Sequence, residues 1–246
     1  MARLRPRHPV RWLLGGVVAL AVLVVGGTWL YIHVIEGPAP AQLSLRSGSS
    51  ASVSPTAAPS AAAPSAAAAA ATDVAGQWRV ASGSVVGYRV QEVLAGQNNT
   101  AVGRTSDISG SMTISGTTVS AASFTVQMAT VHSDQSQRDA QFDGRIMDTA
   151  SYPTGKLTLS GPINLGAVPS DGVIRSYQAT ASLTLHGKTK TLAFALQAER
   201  TGSGIEVSGS IPIVFADYGI ANPSFGGFVT TQDHGLLEFL VKFSRT

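Results

Sequence analysis

After Gly76, apolar and polar residues alternate along most of the chain with a period of two, the pattern of β-strands with one buried face. Phe124, Val126 and Met128 alternate with Thr125, Gln127 and Ala129, while Tyr177, Ala179, Ala181, Leu183 and Leu185 share a second such run. Trp78 and Val80 open the series, and Val86, Tyr88 and Val90 lie on one face of the next run. Leu192, Phe194 and Leu196, then Ile205 and Val207, then Ile211, Ile213 and Phe215, carry it on; Leu237, Phe239, Val241 and Phe243 close it. Gln97-Asn98-Asn99, Gly116, Gly161-Pro162, Pro169 to Gly172, His186-Gly187-Lys188 and Gly202-Ser203-Gly204 read as turns. The pattern predicts about eight to ten strands without βαβ alternation, so the sheet is antiparallel and forms a sandwich or a closed barrel. Closure removes exposed edges, and a barrel of about eight strands has an interior just wide enough for one elongated ligand.

The alternation stops between Ser136 and Leu159. Arg138-Asp139 is followed by Phe142, Ile146 and Met147 at spacings of about one helical turn, and Tyr152-Pro153 precedes the next alternating run at Lys156. This stretch predicts a partly helical interruption that covers one end of the sheet structure or forms a wall of what it encloses.

Upstream, residues 12–35 (WLLGGVVALAVLVVGGTWLYIHVI) form an apolar run in which His33 alone can carry a charge near neutral pH. As a helix it spans roughly 36 Å, enough to cross a bilayer with some tilt. Trp29 and Tyr31 stand where an interfacial aromatic belt is expected, and Arg3, Arg5, Arg7 and Arg11 place the N-terminal side in the cytoplasm. A cleavable signal peptide is the competing reading, but its apolar core is shorter, about 7–15 residues. Residues 36–75 are rich in Ala, Ser and Pro, and Pro55, Pro59 and Pro64 interrupt any helix. The expected organisation is therefore a basic cytoplasmic tail (1–11), a single-pass membrane anchor (12–35), a disordered linker (36–75) and an extracytoplasmic β domain (76–246).

Composition narrows the chemistry. The 26 Gly and 13% charged residues suit a small-residue β protein. The net charge of +3 is concentrated before the apolar run, so it reports topology and gives no case for nucleic-acid binding. With no Cys, disulfides, thiolate catalysis and Cys-ligated metal centres are excluded. No G-x-S-x-G or H-E-x-x-H occurs, and Gly187-Lys188-Thr189 lacks the first P-loop glycine, because position 182 is Ser. His132, Asp134 and His234 remain as the metal or enzyme alternative.

The domain resembles the YceI-like family on four segments in order. These are Trp78 with Val86-Gly87-Tyr88-Arg89-Val90; Arg138-Asp139 with Phe142, Met147-Asp148 and Tyr152-Pro153; Leu183 through Lys190; and Asp217-Tyr218-Gly219-Ile220. Ala181 and Tyr218 depart from the family's commoner Gly and Phe. The resemblance implies a lipocalin-like antiparallel barrel that binds an isoprenoid lipid, a polyprenyl chain or quinone tail, as carrier or store, without catalysis or a resident cofactor.

The candidate lumen residues are Tyr88, Phe124, Val126, Met128, Leu183, Leu185, Phe194 and Phe239. Alternatively, these side chains fill a solid core and the domain is an interaction module of the cell envelope. Small residues bear on the choice: Ala179, Ala181, Ala193 and Ala195 leave volume unfilled if they face inward. Arg138 either pins the helical segment with Asp139 or meets a head group at the barrel mouth; Arg89 and Arg104 are weaker candidates for that role.

Overall fold

The structure is a computed structural model and describes residues 22, 26–27, 38–45, 74–94, 96–227 and 229–246. The expected anchor at 12–35 lies outside the described residues apart from Val22, Gly26 and Gly27; among the described residues no helix is long and apolar enough to cross a membrane. Most of the expected linker, residues 46–73, also lies outside them.

The domain is an all-β antiparallel barrel of eight strands with one short helix. Several of the eight are bent and divide into two segments. β1 (Gly76–Val80) and β2 (Val85–Leu94) run in turn along β12 (His234–Arg245), with pairings Trp78↔Arg245 and Val86↔Phe239. β3 (Gln97–Thr105) pairs with β2, and β4 (Ile108–Ser115) with β1. The sheet continues through β5 (Thr118–Gln127), β6 (Thr154–Leu159), β8 (Arg175–Leu185), β9 (Lys188–Thr201) and β10 (Gly204–Val214) to β12, and the β1–β12 pairing closes it. β7 (Ile163–Asn164) is a two-residue addition to β5, and β11 (Val229–Thr231) extends β12 along β2.

One sequence expectation shifts. Gln97 to Asn99 belong to β3, and the chain turns at Gly96, whose φ of 82° suits glycine. The Asn99 amide is held in the ladder by donating to Glu92 Oε1 at 2.9 Å.

The barrel wall opens where β3 and β5 part. There Arg104 and His132 exchange backbone hydrogen bonds of 2.8 and 3.0 Å, and the interrupting segment covers the gap. It folds as α1 (Ser136–Gln141) followed by a π-helical turn, Phe142–Ile146. The spacing of Phe142 and Met147 buries both on one side, against the end of the barrel that holds Met128, Leu185 and Phe215. The last three family-like segments converge at this end: the Tyr152 ring lies 4.3 Å from that of His186, and His186 Nδ1 lies 3.3 Å from Tyr218 O. Tyr218 is only 2% exposed.

Part of the expected linker rests on the barrel. Residues 38–45 pass over the outer wall, where the Arg89 guanidinium donates to Pro40 O at 2.5 Å and that of Arg104 to Ala41 O. Leu43 and Ser44 flank Ser208 and Glu238, and Leu45 is buried.

Candidate functional site: an apolar cavity through the barrel

The strands that alternate in sequence point every second side chain into a cavity of about 330 Å³. All nine residues singled out from the sequence line it. Tyr88 comes from β2, Phe124 and Val126 from β5, Met128 from the turn after it, Leu183 and Leu185 from β8, Phe194 from β9, Phe239 from β12, and Arg138 from α1. Ala179 and Ala181 also face inward, whereas Ala193 and Ala195 are exposed. The inward pair supplies the missing volume; the outward pair does not.

Glycines make room for the rings. Tyr88 pairs directly with Gly103, Phe124 with Gly110 and Phe239 with Gly209. A Cβ on those glycines would lie 2.3, 2.6 and 2.7 Å from the respective ring. Two aromatic contacts order the interior further: Tyr88 stacks on Phe142 at 5.2 Å and 14°, and Phe194 meets Phe239 edge-on at 6.0 Å.

Two apolar clusters meet in the cavity. One, at the capped end, contains Phe142, Met147, Leu185 and Phe215; the other, at the opposite end, contains Trp78, Ile114, Ile205 and Phe243. Leu165 and Val168, in the connection before β8, line that opposite end.

Polar groups concentrate beside α1. Arg138 donates to Glu92 Oε1 at 3.3 Å and to Asp134, so two carboxylates hold its guanidinium. Asp139 accepts from Ser133 N at 2.8 Å and Ser133 Oγ at 2.6 Å, and lies 3.3 Å from His132. The Arg138-Asp139 pair therefore fastens α1 through separate partners. Burial raises the Tyr88 hydroxyl well above its ordinary pKa of 10.0, so this group is a neutral donor. Thr231 and Glu92, which the sequence reading missed, also line the cavity. Nothing in the local pattern marks Thr231; it reaches the site through its cross-strand pairing with Glu92.

Arg89 and Arg104 belong elsewhere. Each follows an inward residue by one position and so points outward, where both meet Glu238 at 2.5 and 3.6 Å. Glu238 is 3% exposed beneath residues 38–45. His132 faces Asp139, and His234 lies 2.7 Å from Asp233. Among the described residues, no group of three His, Asp or Glu side chains is placed to hold a metal.

A closed antiparallel barrel around an apolar cavity, covered at one end by a short helix, defines the class. The chain belongs to the YceI-like family: that domain's sequence pattern matches residues 78–243. Among solved structures, a polyisoprenoid binding domain from Saccharophagus degradans, implicated in plant cell wall breakdown, is similar with a TM-score of 0.57 and 15% identity, covering 70% of this chain and 99% of that one. BcnA of Burkholderia cenocepacia is 20% identical with a TM-score of 0.48, covering 63% of this chain and 95% of its own. The Campylobacter jejuni YCEI protein is 17% identical with a TM-score of 0.47, covering 57% and 82%. No curated protein matches the chain.

Proposed function

We propose that the protein binds an isoprenoid lipid, a polyprenyl chain or the tail of a quinone, inside its barrel and acts as a carrier or store at the outer side of a membrane. The observation that carries this reading is the unfilled apolar interior. Scaled by the cost of cavities left in protein cores, an empty volume of this size costs on the order of 8 kcal/mol, comparable with the whole stability of a domain. An apolar chain in the same space recovers about 25 cal/mol per Å² of buried apolar surface, before the costs of binding. This favours a ligand over a solid-cored interaction module. The similar Saccharophagus degradans structure is a polyisoprenoid binding domain, which agrees with the reading.

The mechanism is passive. The lumen takes the tail by shape and apolarity, and the Ser136–Ile146 segment shapes the entrance. Residues 12–35 anchor the chain, with the arginine-rich tail in the cytoplasm and the barrel outside.

Native mass spectrometry of the full chain after gentle extraction tests this. The expected result is a co-purified hydrophobic adduct, or stoichiometric uptake of polyprenyl lipid or quinone, lost when Ala181→Trp fills the lumen. An empty wild-type barrel that takes up neither would refute it.

A further inference from the structure

The apolar tail leaves unused a set of polar groups at the α1 end of the cavity. Glu92 shares the inward face of β2 with Tyr88 and Val90, four and two residues away. Thr231 is the direct cross-strand partner of Glu92, and directly opposed residues of an antiparallel pair point to the same side. Thr231 is 7% exposed, lines the cavity, and its Oγ1 has no hydrogen-bond partner among the described residues. A buried hydroxyl left unpaired is unfavourable, and a ligand oxygen entering beside it relieves that penalty.

Charge at this end decides which oxygen. Arg138 is already engaged by Glu92 and Asp134, and Asp139 stands in the same group with the exposed His132 beside it. At the Tyr88 hydroxyl, after burial, Arg138 is the strongest charged influence, and Asp139, Glu92 and Asp134 oppose it. Glu92 and Asp134 take up the charge of Arg138, and Asp139 adds a further negative charge beside them, which makes a phosphate unwelcome here. A neutral oxygen meets no such repulsion.

Building on the lipid-binding reading, we propose that this end of the cavity takes an uncharged, oxygen-bearing head group, a prenol hydroxyl or a quinone carbonyl, and rejects phosphorylated isoprenoids. Thr231 Oγ1 donates to that oxygen. Glu92, held in place by Asn99 and Arg138, supplies the repulsion that excludes phosphate.

The test uses the full chain, stripped of lipid in detergent, and four probes: geranylgeraniol, decylubiquinone, geranylgeranyl diphosphate and the headless hydrocarbon phytane. The alcohol and the quinone are expected to bind at least tenfold more tightly than the diphosphate, and comparing them tells hydroxyl from carbonyl. Thr231→Val, nearly the same shape, is expected to weaken the neutral oxygenated probes threefold to tenfold and leave phytane unchanged. Glu92→Gln is expected to raise diphosphate affinity at least threefold. Diphosphate binding as tight as the alcohol, or a Thr231→Val loss shared by phytane, overturns the proposal while leaving lipid binding intact. Failure of all four probes to bind overturns both.

Discussion

Phe239 and Gly209 face each other as direct partners across β12 and β10, and the ring occupies the space that a side chain at 209 would need. A Cβ there would lie 2.7 Å from Phe239 Cζ and 3.0 Å from the backbone oxygen of Ala195. The ring has only the lumen to move into. Gly209→Ala is therefore expected to cost about 1–3 kcal/mol by overpacking, roughly 2–4 °C of melting temperature per kcal/mol for a domain of this size. Gly161→Ala, where a Cβ would have no described atom within 4 Å, is the control, expected within about 0.5 kcal/mol of wild type. Thermal melts of both variants check this; equal melting temperatures would contradict it.

The stacked pair Tyr88–Phe142 couples the helical cover to the barrel wall. Truncation by Phe142→Ala is expected to destabilise the domain by about 3–5 kcal/mol, of which the stack itself is about 0.5–1.5. Urea unfolding followed by circular dichroism measures the loss. Hydrogen exchange should localise the loosening to residues 136–147, and uniform exchange across the barrel would count against a cover that opens by itself.

Glu238 lies under residues 38–45 with Arg89 beside it, their side chains 3% and 10% exposed. Glu238→Ala leaves Arg89 and Arg104 without their shared carboxylate, and the expected loss is about 3–5 kcal/mol. Because the pair is shielded, adding salt to wild type should change stability little. Denaturant titrations at low and high ionic strength test both statements.

Alkaline pH should expose the burial of Tyr88. Its folded-state pKa is raised, chiefly by burial, so the stabilisation is fully present below the unfolded value of about 10 and is lost as pH rises above it. Tyr88→Phe should flatten the fall in stability above about pH 10 relative to wild type. Tyr177 and Tyr218, also raised by burial, keep part of the slope in the variant. Urea midpoints at several pH values on either side of 10 decide it; identical slopes would place the Tyr88 hydroxyl in water.

Leu45 tests how firmly residues 38–45 hold to the barrel. Its burial predicts a loss of about 2 kcal/mol on Leu45→Ala. A change within about 0.5 kcal/mol, the range of ordinary surface substitutions, would show that the contact adds nothing to stability.

The period-two runs alone determined that the domain is an antiparallel β structure, because burying one face of a strand forces alternation. The break at Ser136–Leu159 likewise announced its helical cover, since Phe142 and Met147 recur at a helical spacing. The same alternation brought eight of the nine candidate residues to the cavity, and α1 brought the ninth, Arg138. Arg89 and Arg104 were misplaced for a related reason: each neighbours an inward residue and so points the other way, toward Glu238.

Tertiary structure decided the rest. Whether Phe194 and Phe239 fill a core or line a lumen depends on strand number and closure, which follow from β1 meeting β12 across most of the domain's length. The placement of Thr231 beside Glu92 is a matter of register between distant strands, and no local signal encodes it. The contact of residues 38–45 with the outer wall is also long-range: an Ala- and Pro-rich segment carries no periodicity of its own, and the guanidiniums of Arg89 and Arg104, set by the barrel, give the carbonyls of Pro40 and Ala41 a partner.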